Sequence, residues 1–286
     1  MDITLLKTFL EVSRKRHFGK AADTLFITQS AVSARIKLLE SSLGVELFIR
    51  RRNDIQLTPA GMRLIRHAET IVTGWERARN AVALHEQGGD SIAVGSPFDL
   101  WTTLLRNWAA ILRKNSPSLV LQIELQPSDI LINRLVNGLL DLAILFDPPQ
   151  ISDLAIRQVA DISLVLISSR RGCTVEQAVE QDYYMVDWGN VFALQHTEHF
   201  PDIPPPAARL ASGTLALYLM LDAGGSAYLA HQMVQEELER ERLFLVEKAP
   251  VIERTAFAVY RPGDEQKDYM QNALDVLKQL ASDFTH

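Results

Sequence analysis

The chain carries at residues 18–44 the stretch FGKAADTLFITQSAVSARIKLLESSLG, which decides the fold of its N-terminal part. Residues 20–25 form a short predicted helix whose alanines allow another helix to approach closely. Thr28 is suited to cap a following helix, and Gly44 is suited to end it. On that helix, four apolar residues recur at three-to-four spacing and are predicted to face a core: Val32, Ile36, Leu39 and Leu43.

The opposite side of this helix carries polar side chains that fit the major groove of DNA. Residues 3–15 form a further amphipathic helix, and three short helices in this order are typical of a helix-turn-helix. In the major groove, glutamine binds an adenine edge, arginine binds guanine or phosphate, and serine donates or accepts a hydrogen bond. We therefore predict DNA contacts by Thr28, Gln29, Ser30, Ser33, Arg35 and Lys37.

A basic turn follows the helices. Two short β-like runs, residues 45–49 and 55–57, flank Arg50-Arg51-Arg52-Asn53-Asp54, and the Asn-Asp pair tolerates the backbone of a tight turn. Three arginines at the tip of a hairpin suit the minor groove or the phosphate backbone. The alternative interpretation is that the three arginines are simply exposed to solvent and contact no DNA. Beside a recognition helix, we favour DNA contacts by Arg50, Arg51 and Arg52.

The net charge of −6 conceals an uneven distribution. Residues 1–88 hold 14 Lys and Arg against 9 Asp and Glu, a net charge of +5. Residues 89–286 hold 15 against 26, a net charge of −11. A basic head on an acidic body is consistent with a DNA-binding protein whose body is repelled by DNA, so that contact is confined to the head.

The composition excludes several classes of protein. Cys173 is the one cysteine, which rules out an intramolecular disulfide and a multi-thiolate metal site. Charged residues interrupt the apolar N-terminus, and Asp222 with Gly224-Gly225 interrupts the longest apolar run, residues 215–234. The sequence therefore predicts a soluble cytoplasmic protein with no signal peptide and no membrane partner.

No motif for catalysis or for binding a cofactor is present. The chain lacks the glycine-rich phosphate loops, the HExxH zinc motif and the GxSxG nucleophile motif. His196 and His199 have the spacing of two metal ligands, but without further ligands a polar surface helix or loop is the favoured interpretation. We predict no catalytic residue, no metal and no cofactor.

A long helix is predicted at residues 59–88. Thr58 caps it and Pro59 opens it, and it is expected to run to about Glu86, a length of roughly 40 Å. Tethered to a domain at each end, such a helix cannot bury its apolar stripe fully against either one. We predict a homodimer through this helix, with domain packing alone as the alternative. The predicted seam consists of Ile65, Ala68, Val72, Trp75, Arg79 and Val82.

Residues 89–286 alternate between strand-like and helix-like segments, which predicts an α/β fold with a mainly parallel sheet. Residues 163–168 and 257–260 are interpreted as strands that enter and leave a second lobe. Ligands bind beyond the carboxyl ends of such strands. The candidate effector-binding residues are Ser96, Pro97, Phe98, Trp101, Ser128, Phe146, Trp188 and Ser212.

Two features of the sequence oppose an effector at this site. Phe98, Trp101 and Trp188 would leave no room for a small molecule if they simply fill the cleft. Asp99 lies in the first turn of the helix that would receive an anion, and its charge would oppose a carboxylate effector unless it is paired with Arg or Lys.

Residues 1–61 resemble the winged helix-turn-helix of LysR-type transcriptional regulators. The rest of the chain agrees with that family in length and layout. The resemblance implies a two-lobed, periplasmic-binding-protein-like body, an effector cleft near Ser96 and Ser128, and linker helices that pair antiparallel. It is carried by Phe18-Gly19-Lys20-Ala21-Ala22, residues 28–36, Leu39-Glu40, Leu43-Gly44, Leu47-Phe48-Ile49-Arg50 and Leu57-Thr58-Pro59-Ala60-Gly61.

Within the family, four features resemble HdfR-type repressors of the flagellar master operon. Two positions depart from the usual family pattern: Ala34 stands where many members carry arginine, and Asn53 stands where a second wing arginine is usual. Base preference therefore cannot be copied from other members. The shared features are Arg16-His17-Phe18-Gly19, Arg52-Asn53, Leu100-Trp101 with Trp108, and Asp187-Trp188-Gly189.

The predicted organisation is a winged helix-turn-helix domain at residues 1–58, a linker helix at 59–88 and a two-lobed regulatory domain at 89–286. Lobe 1 comprises residues 91–161 and 266–286, and lobe 2 comprises residues 162–265. We predict a regulator of motility or metabolic operons that binds double-stranded promoter DNA as a dimer or tetramer, with a small-molecule effector. The alternative is a solute-binding or enzymatic α/β protein whose helical head serves assembly only.

Overall fold

The computed structural model describes residues 2–51, 54–85 and 89–282. The chain divides into two compact units, residues 1–88 and 89–286. The N-terminal unit contains α1 (Ile3–Lys15), α2 (Phe18–Leu25), α3 (Gln29–Leu43), β1 (Phe48–Arg51), β2 (Asp54–Leu57) and α4 (Pro59–His85).

Each short helix of the N-terminal unit starts at a side chain that accepts backbone N–H groups. Asp2 caps α1 by accepting from Thr4, and His17 Nδ1 caps α2 by accepting from Gly19 at 3.0 Å. Thr28 Oγ1 accepts from the Ala31 N–H at 3.2 Å, as its position before α3 predicts. These caps satisfy N–H groups that have no partner inside their own helix.

The three helices enclose one apolar core. Val32, Ile36 and Leu39 of α3 are fully buried, as predicted, whereas Leu43 is 42% exposed beside Gly44, so its predicted place in the core is wrong. Gly44 has φ +70°, a value that favours glycine, and it ends α3. The other buried members of this core include Leu6, Phe9, Val12, Ala21, Ala22, Leu47, Phe48 and Ala68.

The predicted hairpin is present, but its strands are Phe48–Arg51 and Asp54–Leu57 instead of residues 45–49 and 55–57, so both extend into the predicted turn. β1 and β2 pair antiparallel, and Arg50 lies opposite Ile55 in their register. Glu40 of α3 accepts the Leu47 N–H at 2.8 Å, which connects the start of the hairpin to the last turn of α3. Arg52 and Asn53 lie outside the described residues.

The C-terminal unit alternates strands and helices, as predicted. Its first half contains β3 (Ser91–Ser96), α5 (Phe98–Leu100), a π-helical turn (Trp101–Leu105), α6 (Arg106–Asn115), β4 (Val120–Leu125), α7 (Ser128–Val136), β5 (Leu142–Leu145) and β6 (Ala155–Ser168). Its second half contains α8 (Val175–Glu180), β7 (Tyr183–Val186), α9 (Asn190–His199), β8 (Ala208–Leu210), α10 (Gly213–Ala223), β9 (Ser226–Ala230), α11 (His231–Glu239), β10 (Phe244–Leu245), β11 (Ile252–Tyr260), a 3₁₀ turn (Asp264–Gln266) and α12 (Asp268–Ser282).

The sheet of this unit is mixed, so the prediction of a mainly parallel sheet is wrong in its centre. The strand order is β4-β3-β5-β11-β6-β9-β7-β8, and β10 pairs with β6. β3 is parallel to β4 and β5 in lobe 1, and β7 is parallel to β8 and β9 in lobe 2. The long strands β6 and β11 are antiparallel to each other and to their other neighbours.

β6 and β11 run through both lobes. β11 pairs with β5 of lobe 1 between Phe257 and Tyr260, and its earlier residues pair with the lobe 2 half of β6. The lobe limits at 161/162 and 265/266 stay a prediction. α12 returns to lobe 1, where Trp108 Nε1 of α6 donates to the Ala273 carbonyl at 2.9 Å.

Two features are absent from the described residues. Among them, no helix combines the length and the apolar character that a membrane crossing requires. The described ranges also bring together no group of three or more His, Cys, Asp or Glu side chains that suits a metal ion.

We predict that Gly61→Ala destabilises the N-terminal unit by about 2 kcal/mol or more, as expected for overpacking against groups that cannot move aside. A Cβ at Gly61 would overlap the Leu47 carbonyl oxygen. Urea unfolding of the intact protein, followed by circular dichroism, measures the change. Gly19→Ala is the matched control, because its Cβ would come no closer than 3.1 Å to its neighbours, all of them side-chain atoms. Equal stability of the two variants would contradict the prediction.

Candidate nucleic-acid interface and interlobe cleft

The N-terminal end of α3 presents a polar surface. Thr28, Gln29 and Ser30 are all exposed. The hydroxyl groups of Thr28 and Ser30 lie 2.9 Å apart, within hydrogen-bonding distance, so the first turn of the helix has a fixed arrangement of oxygen atoms. The Gln29 side chain extends beside Gly19 at the start of α2. An amide and two hydroxyl groups are thus available at the end of the helix that enters the groove in helix-turn-helix proteins.

The exposed face of α3 continues this surface along the helix. Ser33 is half-buried, and Ala34 and Lys37 are exposed, all on the side opposite the buried residues of α3. The structure therefore places five predicted DNA-binding residues on one surface, namely Thr28, Gln29, Ser30, Ser33 and Lys37.

Arg35 is directed away from that surface. Its side chain is half-buried and its Nη1 donates to Thr8 Oγ1 of α1 at 3.4 Å. The charge of Arg35 also contributes to lowering the pKa of the exposed Asp2 carboxyl, after the larger effect of the hydrogen bonds from Thr4. Arg35 thus joins α1 and α3, and only a change of rotamer would bring it to the groove.

Arg50 and Arg51 lie in β1, where Arg51 pairs with Asp54 in the backbone register of the hairpin. The predicted Arg52 lies outside the described residues. The described part of the hairpin therefore places the start of the arginine run at the end of the hairpin distant from α4.

The apolar stripe predicted on α4 is divided between two environments. Ala68 is fully buried, and Ile65 and Val72 pack against the N-terminal core. An exposed stripe starts at Ile71 and continues through Trp75 and Val82, which are 54% and 65% exposed. The predicted seam is therefore wrong for its first three residues, because the head itself covers them. Lys7 of α1 pairs with Glu76 at 2.7 Å and fixes the helix to the head.

In the C-terminal unit, the predicted cleft residues follow the ends of strands. Ser96 ends β3 and is fully buried, and its hydroxyl has no hydrogen-bond partner among the described residues. Phe98 is 46% exposed and Trp101 is half-buried at the start of the π-helical turn. Pro97 precedes this helix, and Ser128 is the first residue of α7.

Asp99 connects the two lobes. Its carboxylate accepts from the Ser212 hydroxyl at 2.7 Å and from the backbone N–H of Gly213 at 2.9 Å. It also accepts from the backbone N–H and the hydroxyl of Thr214, both at 3.3 Å. Ser212 is the N-cap of α10, so the carboxylate of one lobe lies at the N-terminus of a helix of the other. The partner of Asp99 is therefore the N-terminus of α10 and not an Arg or Lys side chain, the pairing under which the sequence left room for a carboxylate effector.

Two further contacts surround this connection. Trp188 is buried, and a Cβ added to Gly213 would overlap its ring, so the ring packs directly against the first residue of α10. Phe146 meets Trp188 edge-on with the ring centroids 6.1 Å apart. Arg254 Nη2 donates to Asp147 Oδ2 at 2.8 Å, and its guanidinium lies over the Phe146 ring. Of the predicted effector residues, Ser212 therefore binds Asp99, Trp188 packs against the neighbouring Gly213, and Phe146 contacts Trp188.

Sequence reasoning missed the partners of Asp99 and the pair of Arg254 with Asp147. The sequence does indicate one partner of Asp99, since Ser212 precedes an apolar helical run and is a typical N-cap. The residue that satisfies this helix end is 113 positions away in the sequence, and no local pattern indicates it. Arg254 stands in a strand-like run, where a buried arginine is unexpected without knowledge of its partner.

Two cavities of the C-terminal unit lie outside the predicted cleft, and no predicted effector residue lines them. One of about 500 Å³ is lined by residues that include Met185, Asp187, Phe192, His196, Arg209 and Leu210. The other, of about 710 Å³, is lined by residues that include Arg171, Cys173, Glu176, Phe244, Glu247 and Lys248.

His196 is buried, so the predicted surface position of the His196–His199 segment is wrong for this residue. Its Nε2 lies 2.8 Å from the Tyr183 hydroxyl, and its ring stacks on the Tyr183 ring. Burial is the main cause that lowers the pKa of His196 to about 4, and the nearby His199 adds to it. Burial also raises the pKa values of Tyr183 and Tyr228. His196 is therefore a neutral member of an aromatic cluster.

Comparison with known families gave two matches that together span most of the chain. The family described as "Bacterial regulatory helix-turn-helix protein, lysR family" matches residues 3–62. The family described as "LysR substrate binding domain" matches residues 85–282.

Individual proteins agree with these matches. The chain is 36% identical over 283 residues to the HTH-type transcriptional regulator HdfR of Yersinia enterocolitica, which covers 96% of this chain and 95% of that protein. The crystal structure of CbnR, a LysR family transcriptional regulator, has a TM-score of 0.81 at 17% identity and covers 98% of this chain and 99% of CbnR. Full-length CbnR complexed with its target DNA has a TM-score of 0.79, also at 17% identity, and covers the same shares.

We predict that His196 makes the unfolding free energy fall as the pH drops from about 6.5 to about 4. In this window the unfolded chain, with a histidine pKa of about 6.5, binds a proton that the folded chain does not bind. Across this window, the unfolding free energy of the wild type should fall by up to about 3 kcal/mol more than that of His196→Gln. Above about pH 6.5, the difference between the two unfolding free energies should be constant. Urea unfolding at a series of pH values measures this.

The exposed His199 provides the control for this titration. His199→Gln should keep most of the pH dependence of the wild type, because it leaves the buried His196 ring and its contact with the Tyr183 hydroxyl in place and removes only the smaller of the two causes that lower the pKa of His196. Parallel pH curves for the wild type and His196→Gln would show that His196 does not titrate in this way.

Proposed function

Because the chain belongs to the LysR family of transcriptional regulators, we propose that it binds double-stranded promoter DNA sequence-specifically in the cytoplasm and has no enzymatic activity. Motility or metabolic operons are the proposed targets, and repression is the proposed direction. The observation that carries DNA binding is the polar exposed face of α3, from Thr28 to Lys37, on a unit of net charge +5.

The residues of this face have different roles in the proposed complex. Gln29 and Ser33 read base edges in the major groove, where an amide or a hydroxyl group distinguishes one base pair from another. Lys37 contacts phosphate, which strengthens binding without selecting a sequence. The arginines at positions 50–52 extend this contact to the neighbouring groove. Arg35 supports α3 from the side of α1 and contributes to the interface through the position of the helix.

The proposed assembly is a dimer through α4. The stripe that starts at Ile71 and runs through Trp75 and Val82 is exposed, whereas the preceding part of the helix is covered by its own head. Apolar residues recurring at steps of three and four on one helix are suited to pair with a second helix. Two heads joined in this way can read two half-sites of an operator.

A tetramer is the larger assembly that we propose. Apolar side chains are exposed on the edge strand β4 and on the helix α10, which lies beside the other edge strand, β8. At one edge, β4 exposes Val120, Ile123 and Leu125, and at the other, α10 beside β8 exposes Leu215 and Tyr218. An exposed sheet edge with apolar residues favours association with another chain.

The interlobe cleft is the proposed place of an effector. Ser96 and Ser128 lie at the carboxyl ends of β3 and β4 in lobe 1, and Trp188 and Ser212 lie on lobe 2. Small molecules bind at this edge of an open parallel sheet, between domains or lobes.

A solute-binding or enzymatic protein with an assembly-only head is the alternative function. The two functions differ in the salt dependence of DNA affinity. Arginine and lysine contacts to phosphate release counterions, so the affinity of a regulator falls steeply between low and physiological salt. If a preparation with both heads intact does not prefer any genomic fragment over random duplex, the protein is not a sequence-specific regulator.

We predict that Gln29→Ala and Ser33→Ala reduce the discrimination between operator and random duplex by about 1–3 kcal/mol for each lost base contact. Lys37→Ala should weaken binding to both duplexes to a similar extent and reduce the salt slope by about 1. Fluorescence anisotropy with an operator selected by genome-wide binding measures these affinities.

Ser42→Ala is the matched control on α3. The Ser42 hydroxyl donates to the Leu39 carbonyl of its own helix, so its loss should leave both affinities unchanged. The assigned roles are wrong if Gln29→Ala and Lys37→Ala change operator and random affinities in the same ratio.

We predict that Trp75→Glu shifts the protein to a smaller oligomer, because it places a charge in the middle of the exposed stripe of α4. Asn80→Glu is the control, since Asn80 is exposed on the opposite side of the same helix. Sedimentation velocity over a range of protein concentrations measures the change. If both variants sediment like the wild type, α4 does not form the interface.

A further inference from the structure

The carboxylate of Asp99 occupies a site that is built to bind an anion. The residue is 6% exposed and receives four hydrogen bonds, from the Ser212 hydroxyl, the Gly213 and Thr214 backbone N–H groups, and the Thr214 hydroxyl. All four donors are neutral groups. The positive end of the dipole of α10 is therefore what compensates this buried negative charge.

The same geometry would bind the carboxylate of a foreign ligand. N–H groups at the start of a helix, together with hydroxyl side chains, are the usual donors to an anion at such a position. Ser212 is one of the residues that the sequence assigns to an effector, and Trp188 lies against Gly213. Asp99 thus fills, with a group of the chain itself, the place where an anionic ligand of this cleft would bind.

A second positive group nearby binds a carboxylate of the chain through one of its nitrogens, while its buried Nε has no hydrogen-bond partner among the described residues. Arg254 is 2% exposed, and its Nη2 binds Asp147 at 2.8 Å. Both groups lie close to Gly189, which follows Trp188, because a Cβ at Gly189 would overlap the Asp147 carboxylate and lie 3.0 Å from the Arg254 guanidinium. Two groups near Trp188 could therefore attract an anion, the N-terminus of α10 and Arg254. Each of them already binds a carboxylate of the chain.

We propose that Asp99 is an internal ligand of the interlobe cleft that joins the lobes and excludes carboxylate and other anionic effectors. An effector of this cleft is then neutral or cationic. Among the residues that the sequence assigns to an effector, the buried Ser96 hydroxyl lies three residues before Asp99 and has no hydrogen-bond partner among the described residues, so a neutral polar group of a ligand can bind it. A second negative charge beside Asp99 would be repelled and would find its donors already occupied.

This inference deepens the effector part of the proposed function, and its test does not depend on DNA binding. The variant Asp99→Ala, in the intact chain, removes the carboxylate and leaves its four donors with a space in front of them. We expect its thermal midpoint to fall by about 5 °C or more, because buried donors to a charged group lose their acceptor. Asp129→Ala is the matched control, since Asp129 lies in the first turn of α7 but is exposed.

Acetate is the probe of the vacated position. Sodium acetate, compared with sodium chloride at the same ionic strength, should raise the midpoint of Asp99→Ala, because a ligand that binds only the folded state stabilises it. The midpoints of the wild type and of Asp129→Ala should not respond to acetate. Equal midpoints for the two alanine variants, or equal responses of all three proteins to acetate, would overturn the proposal.

A second variant tests the role of Asp99 if Asp99→Ala does not fold. Asp99→Asn keeps the shape of the side chain but replaces one acceptor by an amide donor, so it should unfold at a lower temperature than the wild type and should not respond to acetate. A midpoint equal to that of the wild type would show that the charge of Asp99 is not what joins the lobes. Failure of the DNA-binding tests would leave these outcomes unaffected.

Discussion

The antiparallel pairing of β6 with β11 is the constraint on which the C-terminal unit depends. The two strands pair from Ile252 with Leu164 to Tyr260 with Ala155, and the register shifts once, between Ala256 and Phe257. Such a bulge bends a strand and changes the direction of the side chains beyond it. The parallel strands of lobe 1 attach on one side of this pair and those of lobe 2 on the other, so the shape of the cleft follows from the two crossing strands.

Buried charge in the cleft is compensated within the chain. Asp99 lies at the N-terminus of α10, and Arg254 lies against Asp147 and the Phe146 ring. An isolated charge in such surroundings would be strongly destabilising, and each of these has a partner from a distant part of the sequence. In the N-terminal unit, α4 is divided in a similar way: its first half completes the core of the head, and its second half exposes Trp75 and Val82.

Local signals predicted much of the fold because they act over a few residues. Thr28 and Gly44 delimit α3 as expected, and the strand-helix alternation after residue 89 is present. The direction of the central strands was not predictable in this way, since a buried run such as residues 163–168 has the same pattern in a parallel or an antiparallel sheet. The seam of α4 was misplaced for a related reason: periodicity identifies an apolar stripe but not which surface covers it.

The sequence by itself determined the helix-turn-helix, the polar face of its third helix, the basic hairpin and the contrast between a basic head and an acidic body. Each of these depends on spacing, capping or charge along a short segment. The tertiary structure alone decided the direction of Arg35, the burial of His196 and the partners of Asp99. These depend on contacts between residues far apart in the chain, such as Asp99 with Ser212, and the energy of a buried polar group is set by the neighbour that folding brings to it.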